Sequence, residues 1–346
     1  MLEVWLDRLD AIEGDPMNEP ALRAVKRSVL PAIGLFFLAP WIAEYLLGDL
    51  PITMLPVILV LAPMYGGGAL LIREVVRRTG RGWPSIVVLA LAYGIIEEAY
   101  TTQSLFNPNY LKLNLHLLQP AYIPALGIGA WWTIFVLTLH TAWSVSTSIA
   151  LVEASVPDRA EVPWLGGIGL TVTSLLFVLG AFVSTRYQLK QDAFRASHAQ
   201  LVTAGVICIA LVVVAFLLPR RSAATGAGFA PNPWIAGAAA LAAGSAVLVT
   251  PGTWNWGAAA AILAIDVGVI AIVLFWSRRT GWGIRHELAL GAGAALAYGW
   301  HAFIGHPVVG KGAIMIRTGN AIFFVGAIGL IAFAARRTNA WVNHTA

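Results

Sequence analysis

Two glutamates side by side, Glu97 and Glu98, interrupt an otherwise apolar run, and further along a histidine, His140, interrupts the next one. A carboxylate shielded from water becomes a general base near neutral pH, and an imidazole within reach can orient or protonate what that base acts on. A charged group at the centre of a bilayer costs at least roughly 2.5–3.5 kcal/mol, so ionisable side chains in such runs need a partner or a purpose. Adjacent helical positions point about 100° apart, so one glutamate of the pair is expected to face a central site and the other a neighbouring helix. Ser144, Thr147 and Ser148 follow His140 at i+4, i+7 and i+8 and line one helix face with hydroxyls. Asp266 and His301 add a carboxylate and an imidazole from two later runs. By the helical rise, Glu97 lies about 12 Å below Leu105, His140 about 12 Å below Trp132 and Asp266 about 15 Å below Trp256. A shared polar cavity open to the outer side is the simplest geometry that houses all of them. Glu44 reads as an interface residue or a cavity rim. His116, His198, His286, His306 and His344 fall in connectors or termini and are expected to be solvated.

The elements that must position these groups are membrane helices. Of 346 residues 58% are hydrophobic and 11% charged, with a mean hydropathy of +0.76. Soluble domains carry roughly a quarter charged residues, so this composition excludes a secreted domain, a soluble enzyme and a nucleic-acid binder. Ten apolar segments, 29–48, 51–72, 84–105, 127–152, 165–185, 200–218, 234–250, 257–276, 287–304 and 320–335, predict an all-α bundle of about ten spans. With the N-terminus inside, sixteen of the 22 lysines and arginines fall on the inner side, among them Arg73, Arg77, Arg78 and Arg81, which places both termini in the cytoplasm of a plasma-membrane protein. The domain organisation is then a cytoplasmic segment 1–28, a membrane domain 29–335 and a cytoplasmic tail 336–346. The acids Glu3, Asp7, Asp10 and Glu13 do not suit the basic start of a cleaved signal peptide, so the N-terminal segment is expected to be retained. The excess of arginine over lysine and the abundance of alanine and glycine fit a GC-rich bacterial genome.

Further features bear on architecture. Arg77-Arg78-Thr79-Gly80 ahead of Leu91-Ala92-Tyr93-Gly94 is echoed by Arg278-Arg279-Thr280-Gly281 ahead of Leu296-Ala297-Tyr298-Gly299, which predicts a parallel repeat of spans 1–4 as 7–10. Gly66, Gly67 and Gly68 predict close helix packing in span two. The connector from Asn107 through Pro124 opens on an Asn-Pro turn and carries many leucines, so it either lies on the membrane surface or folds back over the spans. The single cysteine, Cys208, allows no internal disulfide and no thiolate cluster.

The stretch Gly94-Ile95-Ile96-Glu97-Glu98-Ala99-Tyr100 resembles the acidic-pair motif of the CPBP (CAAX-protease and Abi) intramembrane proteases, and His140-Thr141-Ala142-Trp143-Ser144 is similar to their His-x-x-x-Asn motif with serine in the asparagine position. The likeness spans segments three and four and extends to the acidic pairs of PrsW-type proteases. It implies Glu97 as the base that activates water, Glu98 as a second site acid and His140 as an oxyanion partner or metal ligand. Thr102 stands where the motif has arginine, and the Phe-x-x-x-His motif has no counterpart within a span.

Three functions follow as expectations. An intramembrane endopeptidase would cleave a membrane-embedded peptide, with Glu97 deprotonating a water that His140 and His301 position, directly or through a zinc ion held by Glu97, His140 and His301. A proton-coupled carrier would use Glu97 or Glu98 with Asp266 as coupling groups. A non-catalytic scaffold would use the polar groups to hold helices in register and the connector from Asn107 to bind a partner.

Overall fold

The computed structural model describes residues 28–220, 226–305 and 313–345; the basic residues Arg8, Arg23, Lys26, Arg27, Arg221 and Lys311, His306, and nearly all of the N-terminal segment lie outside them. Of the described residues 77% are helical. Its helices are α1 (Leu30–Leu46), α2 (Ile52–Arg78), α3 (Trp83–Thr101), α4 (Ala130–Ser155), α5 (Gly167–Gln191), α6 (His198–Leu217), α7 (Pro233–Val249), α8 (Trp256–Ser277), α9 (Ile284–His301) and α10 (Ala313–Thr345). Each lies over one of the apolar segments. Seven of them, α2 to α6, α8 and α10, are long and apolar enough to cross a membrane.

Local chemistry sets the helix starts. Pro233 at the first turn of α7 follows Asn232, whose side chain accepts from the Trp234 amide, and α6 opens on a reciprocal Ser197–Gln200 capping box. Helix ends sort to two faces. On one, Arg159 donates to the Ser28 carbonyl, Ser85 to Ala215, His286 meets Pro231, and Thr338 donates to Ala154. Strand β3 (Gly226–Phe229) pairs there in parallel with β4 (Arg279–Thr280). On the other, Asn107 binds Asp192, Gln200 reaches Leu126 and Asn320 donates to Ala302. The first face carries most arginines and is called the arginine-rich end below.

The centre is α2, α3 and α4, whose apolar windows are 50%, 61% and 56% buried, whereas α5, α6 and α8 are 11%, 17% and 17% buried and turn apolar side chains outward. Ile168, Leu175, Val178 and Phe182 on α5 are exposed in this way. Ionisable groups that need shelter therefore have it on α2 to α4. A Cβ on Gly66 would stand 1.8 Å from the Phe36 carbonyl oxygen, so α1 and α2 touch backbone to backbone as the glycine run predicts.

Several expectations change. Helix α3 stops at Thr101, not near residue 105, because the helix ends in a wide turn and Gln103 takes a positive φ of 56°. The connector after it folds back: Leu105, Phe106, Asn107, Leu117 and Leu118 are buried, and a short antiparallel pair, β1 (Tyr122–Ile123) with β2 (Ile128–Gly129), returns the chain to α4. Helix α10 continues through 336–345 where a tail was expected, anchored by Thr338 and by Arg285 bonding Asn339 and Asn343. His286 is buried, stacked on Trp282 and bonded to the Pro231 carbonyl, not solvated; His116, His198 and His344 are exposed. The repeated Arg-Arg-Thr-Gly turns share a positive-φ glycine, Gly80 and Gly281, and both Tyr93 and Tyr298 are buried. The packing around the copies differs, because α7 lies along α9 through Gly237 and Gly293 whereas α1 lies along α2.

Arg73 and Arg77, placed by the sequence on the inner side beyond the end of span two, are buried within α2. Glu153 of α4 accepts from Arg73 Nε at 3.0 Å and from Arg77 Nη2 at 2.6 Å, and Arg73 Nη1 reaches Glu74 at 2.8 Å. Arg73 also donates to the Ala160 carbonyl and lies 3.5 Å over the Trp164 ring, while Glu74 accepts from the Trp164 amide. This network ties α2, α4 and the connector before α5 into one unit.

Candidate functional site

Among the described residues three stretches wind as π-helix, Trp41–Leu46 in α1, Ile96–Thr101 in α3 and Leu139–Thr147 in α4. Such wide turns recur at functional sites because they leave the regular ladder and re-aim side chains. Here they hold Glu44, the Glu97–Glu98 pair, and His140 with Ser144.

His140 is the hub. Its Nε2 lies 2.8 Å from Glu98 Oε1, and its Nδ1 lies 3.3 Å from Glu97 Oε2 and 3.3 Å from Ser144 Oγ. Both glutamates thus meet the same imidazole, one at each ring nitrogen, where adjacent helix positions predicted divergence. Gly94 makes this approach possible, since a Cβ there would sit 3.1 Å from that of His140. Glu97, Glu98 and His140 are all buried, and each offers a ligand atom within 4.8 Å of the others.

The two acids are not equivalent. Glu98 is fully engaged: Oε1 takes His140, and Oε2 accepts from Thr102 Oγ1 at 2.9 Å and from Ser104 Oγ. Trp132 Nε1 in turn donates to Ser104 at 3.0 Å. Thr102 is the residue that replaces the arginine of the resembling motif, and it serves the second acid directly. Glu97 Oε2, in contrast, meets His140 Nδ1 only at 3.3 Å, and neither it nor the buried Tyr93 hydroxyl that faces Glu97 makes a well-formed hydrogen bond. Buried polar atoms are rarely left so in a finished core, and such a pair has hydrogen-bonding capacity open to a water or a reacting group.

The structure adds residues that the sequence reading missed. Tyr65 of α2 donates to Glu44 Oε1 at 2.6 Å, and its ring lies 6.1 Å from the imidazole; the Tyr93 ring lies 6.0 Å away on another side. Glu44 is therefore part of the site's surroundings and not a lipid-interface residue. Tyr110 reaches over from the connector, and burial, reinforced by the charges of Glu98, Glu44 and Glu97, holds its hydroxyl well above the ordinary value of 10.0. Tyrosines in apolar runs carry no mark that separates site from core; Ser104 and Thr102 lay in what reads as the end of a span.

Residues 34–336 match the sequence model of a group described as an uncharacterized membrane protein family. The chain belongs to that family. No curated protein matches the chain, and no solved structure does. The matched stretch takes in the three π-helical segments and Glu97, Glu98 and His140.

Two expected members stand apart. Asp266 on α8 is half-buried and accepts from Thr138 Oγ1 at 2.6 Å, an interhelical bond away from the acids. His301 closes α9, half-buried, its ring edge-on to Trp300 and its Nδ1 without a partner, and it is not in the Glu97–Glu98–His140 group. The zinc set Glu97, His140 and His301 is thus not assembled. Glu97, Glu98 and His140 offer three ligand atoms between them, the number a catalytic zinc takes from protein, but His140 Nε2 is engaged by Glu98 and its Nδ1 by Ser144 and Glu97, so a metal would have to displace these contacts.

Proposed function

We propose that this membrane protein is a hydrolase that cleaves a membrane-embedded peptide, with Glu97 as general base. The observation that carries the reading is the split within the acidic pair: Glu98 is spent on orienting His140, and Glu97 Oε2 faces the imidazole at 3.3 Å without a well-formed hydrogen bond. The likeness of the acidic pair and of His140-x-x-x-Ser144 to the intramembrane proteases supplies the reaction class.

The site's own residues perform the steps. Glu97 Oε2 takes a proton from a water lodged beside Tyr93, and the water oxygen attacks the peptide carbonyl carbon. The oxyanion that forms accepts a hydrogen bond from His140 Nδ1, which Glu98 and Ser144 hold in place. Glu97 then passes its proton to the departing nitrogen, the C–N bond breaks, and an acid and an amine leave. No metal enters this scheme.

The bundle around it is read as ten crossings of the plasma membrane with the arginine-rich end and both termini in the cytoplasm, supported by the two-faced sorting of helix ends and the basic side chains on one of them. Reporter fusions after α2, α3 and α10 test that orientation.

Proteoliposomes carrying the protein and a panel of labelled single-span peptides test the chemistry. Wild type cleaves at least one peptide, Glu97→Gln lowers kcat by about 10²–10⁴-fold, and a chelator leaves the rate unchanged. Chelator-sensitive cleavage restores the zinc scheme. Proton flux that needs Glu97, without cleavage of any peptide, replaces the hydrolase with the carrier.

A further inference from the structure

A buried base must exchange its proton with solvent between turnovers, and the structure shows one line of titratable groups leading away from Glu97. The Tyr65 hydroxyl faces Glu97 and donates to Glu44 Oε1 at 2.6 Å, so it stands between the two acids. The π-turn of α1 does the rest. The Glu44 carbonyl accepts from the Asp49 and Leu50 amides at 2.9 and 3.1 Å, which folds the connector back on the helix and brings the half-buried Asp49 carboxyl into the electrostatic field of Glu44. Asp49 lies outside the spans, at the end opposite the arginines. Burial, then the charge of Glu44, pushes it up to about 8, where it both takes and releases protons near neutral pH.

The surroundings of Glu44 favour transit over storage. Glu98 faces it from α3, His140 from α4 and Asp49 from the connector. The phenols of Tyr65, Tyr93, Tyr110 and Tyr298 face it from α2, α3, the connector after α3 and α9. Among the described residues no lysine or arginine fixes its charge. A guanidinium there would hold Glu44 as a carboxylate; Glu153, in contrast, pairs with both Arg73 and Arg77.

We propose that Tyr65, Glu44 and Asp49 form the proton-exchange path between the Glu97–His140 pair and the solvent at the arginine-poor end. Each passage balances: Tyr65 gives its hydroxyl proton to Glu44 and takes one from Glu97, so one proton moves outward and the phenol is restored. Glu44 hands the proton through water to Asp49. The path rests on reading Glu97 as a proton-handling base, but its test does not require peptide cleavage.

The protein in lipid nanodiscs is subjected to a pH jump, and the infrared carboxyl signal that is absent from Glu97→Gln is followed in time. In Tyr65→Phe and Glu44→Gln that signal responds at least tenfold more slowly, Asp49→Asn slows it less, and added formate restores part of the rate, which a merely structural role would not allow. Tyr65→Phe keeps the ring packing and carries the test where Glu44→Gln fails to assemble. An unchanged rate in Tyr65→Phe and Glu44→Gln overturns the path, even where Glu97→Gln abolishes cleavage and so upholds the base. Slowed exchange in a protein that cleaves nothing upholds the path and overturns the hydrolase.

Discussion

The two buried charge clusters of this bundle are built on opposite terms. Near the arginine-rich end, Arg73, Arg77, Glu74 and Glu153 balance two positive against two negative charges, and backbone carbonyls and the Trp164 ring take up what remains. Around His140, two carboxylates meet one imidazole while a third, Glu44, stands behind Tyr65, and Glu97 Oε2 and the Tyr93 hydroxyl make no well-formed hydrogen bond. Helices α2 and α4 run through both, so the difference cannot come from burial or from the choice of helices. A cluster that is neutral and saturated holds helices in register; one with surplus charge and open valences is ready for a proton or a reactant.

The largest effect should come from the saturated cluster. Glu153→Gln leaves Arg73 and Arg77 buried without their shared counter-charge, and removing one partner of such a network costs about 3–5 kcal/mol. Unfolding in mixed micelles measures it. A loss below about 1 kcal/mol would mean that water reaches these arginines and that the two clusters are not built differently.

Within the site, Ser104 tests whether Glu98 belongs to the structural kind. It bonds Glu98 Oε2 and takes the Trp132 indole, so Ser104→Ala should cost about 1 kcal/mol of stability. In the peptide assay it should lower kcat with KM unchanged, because a loosened Glu98 no longer fixes His140. Loss of stability without change in kcat would assign the serine to the fold alone.

How far the sequence revealed all this depends on what each residue does. The helices were legible because their apolar length is a membrane requirement, and Glu97, Glu98 and His140 were legible because an acid or imidazole in such a run is costly. Arg73 and Arg77 misled: arginine near a helix end reads as solvated, and its burial depends on Glu153 about twenty turns of helix and connector away in the chain. Glu44 misled in the opposite way, since its place near a span end hid the π-turn that aims it at Tyr65. Tyr65 and Tyr93 were invisible, because phenols are ordinary core residues until a carboxylate is found beside them. Asp266 and His301 satisfied the same rule as Glu97 yet lie apart; the cost of burial says that a group needs a partner and not which one.

Asp49 links the site to bulk pH, and the sign is fixed by its affinity for a proton. The folded protein keeps that proton up to about pH 8 while the unfolded chain releases it near 3.8, so the folded state binds more protons in between. Stability therefore falls as pH rises from about 4 to 8 and levels off above, and partial exposure keeps the total at about 1 kcal/mol or less. Asp49→Asn should flatten the dependence of the unfolding midpoint in that window. A midpoint that rises with pH in wild type would place Asp49 beside a cation and break the contrast with the arginine cluster.

The smallest expected change is the sharpest test. Glu97→Gln removes attraction to His140, but it also removes repulsion from Glu98 and the cost of burying a carboxylate, and the new amide can donate toward the Tyr93 hydroxyl. These contributions oppose one another, so the unfolding free energy should move by no more than about 0.5 kcal/mol while the chemistry fails. Glu153→Gln, the same substitution in the other cluster, is expected to cost several times more. If the two cost the same, Glu97 is a helix tie like Glu153, its free oxygen is filled in the membrane by a partner side chain, and the acidic pair is no longer a site.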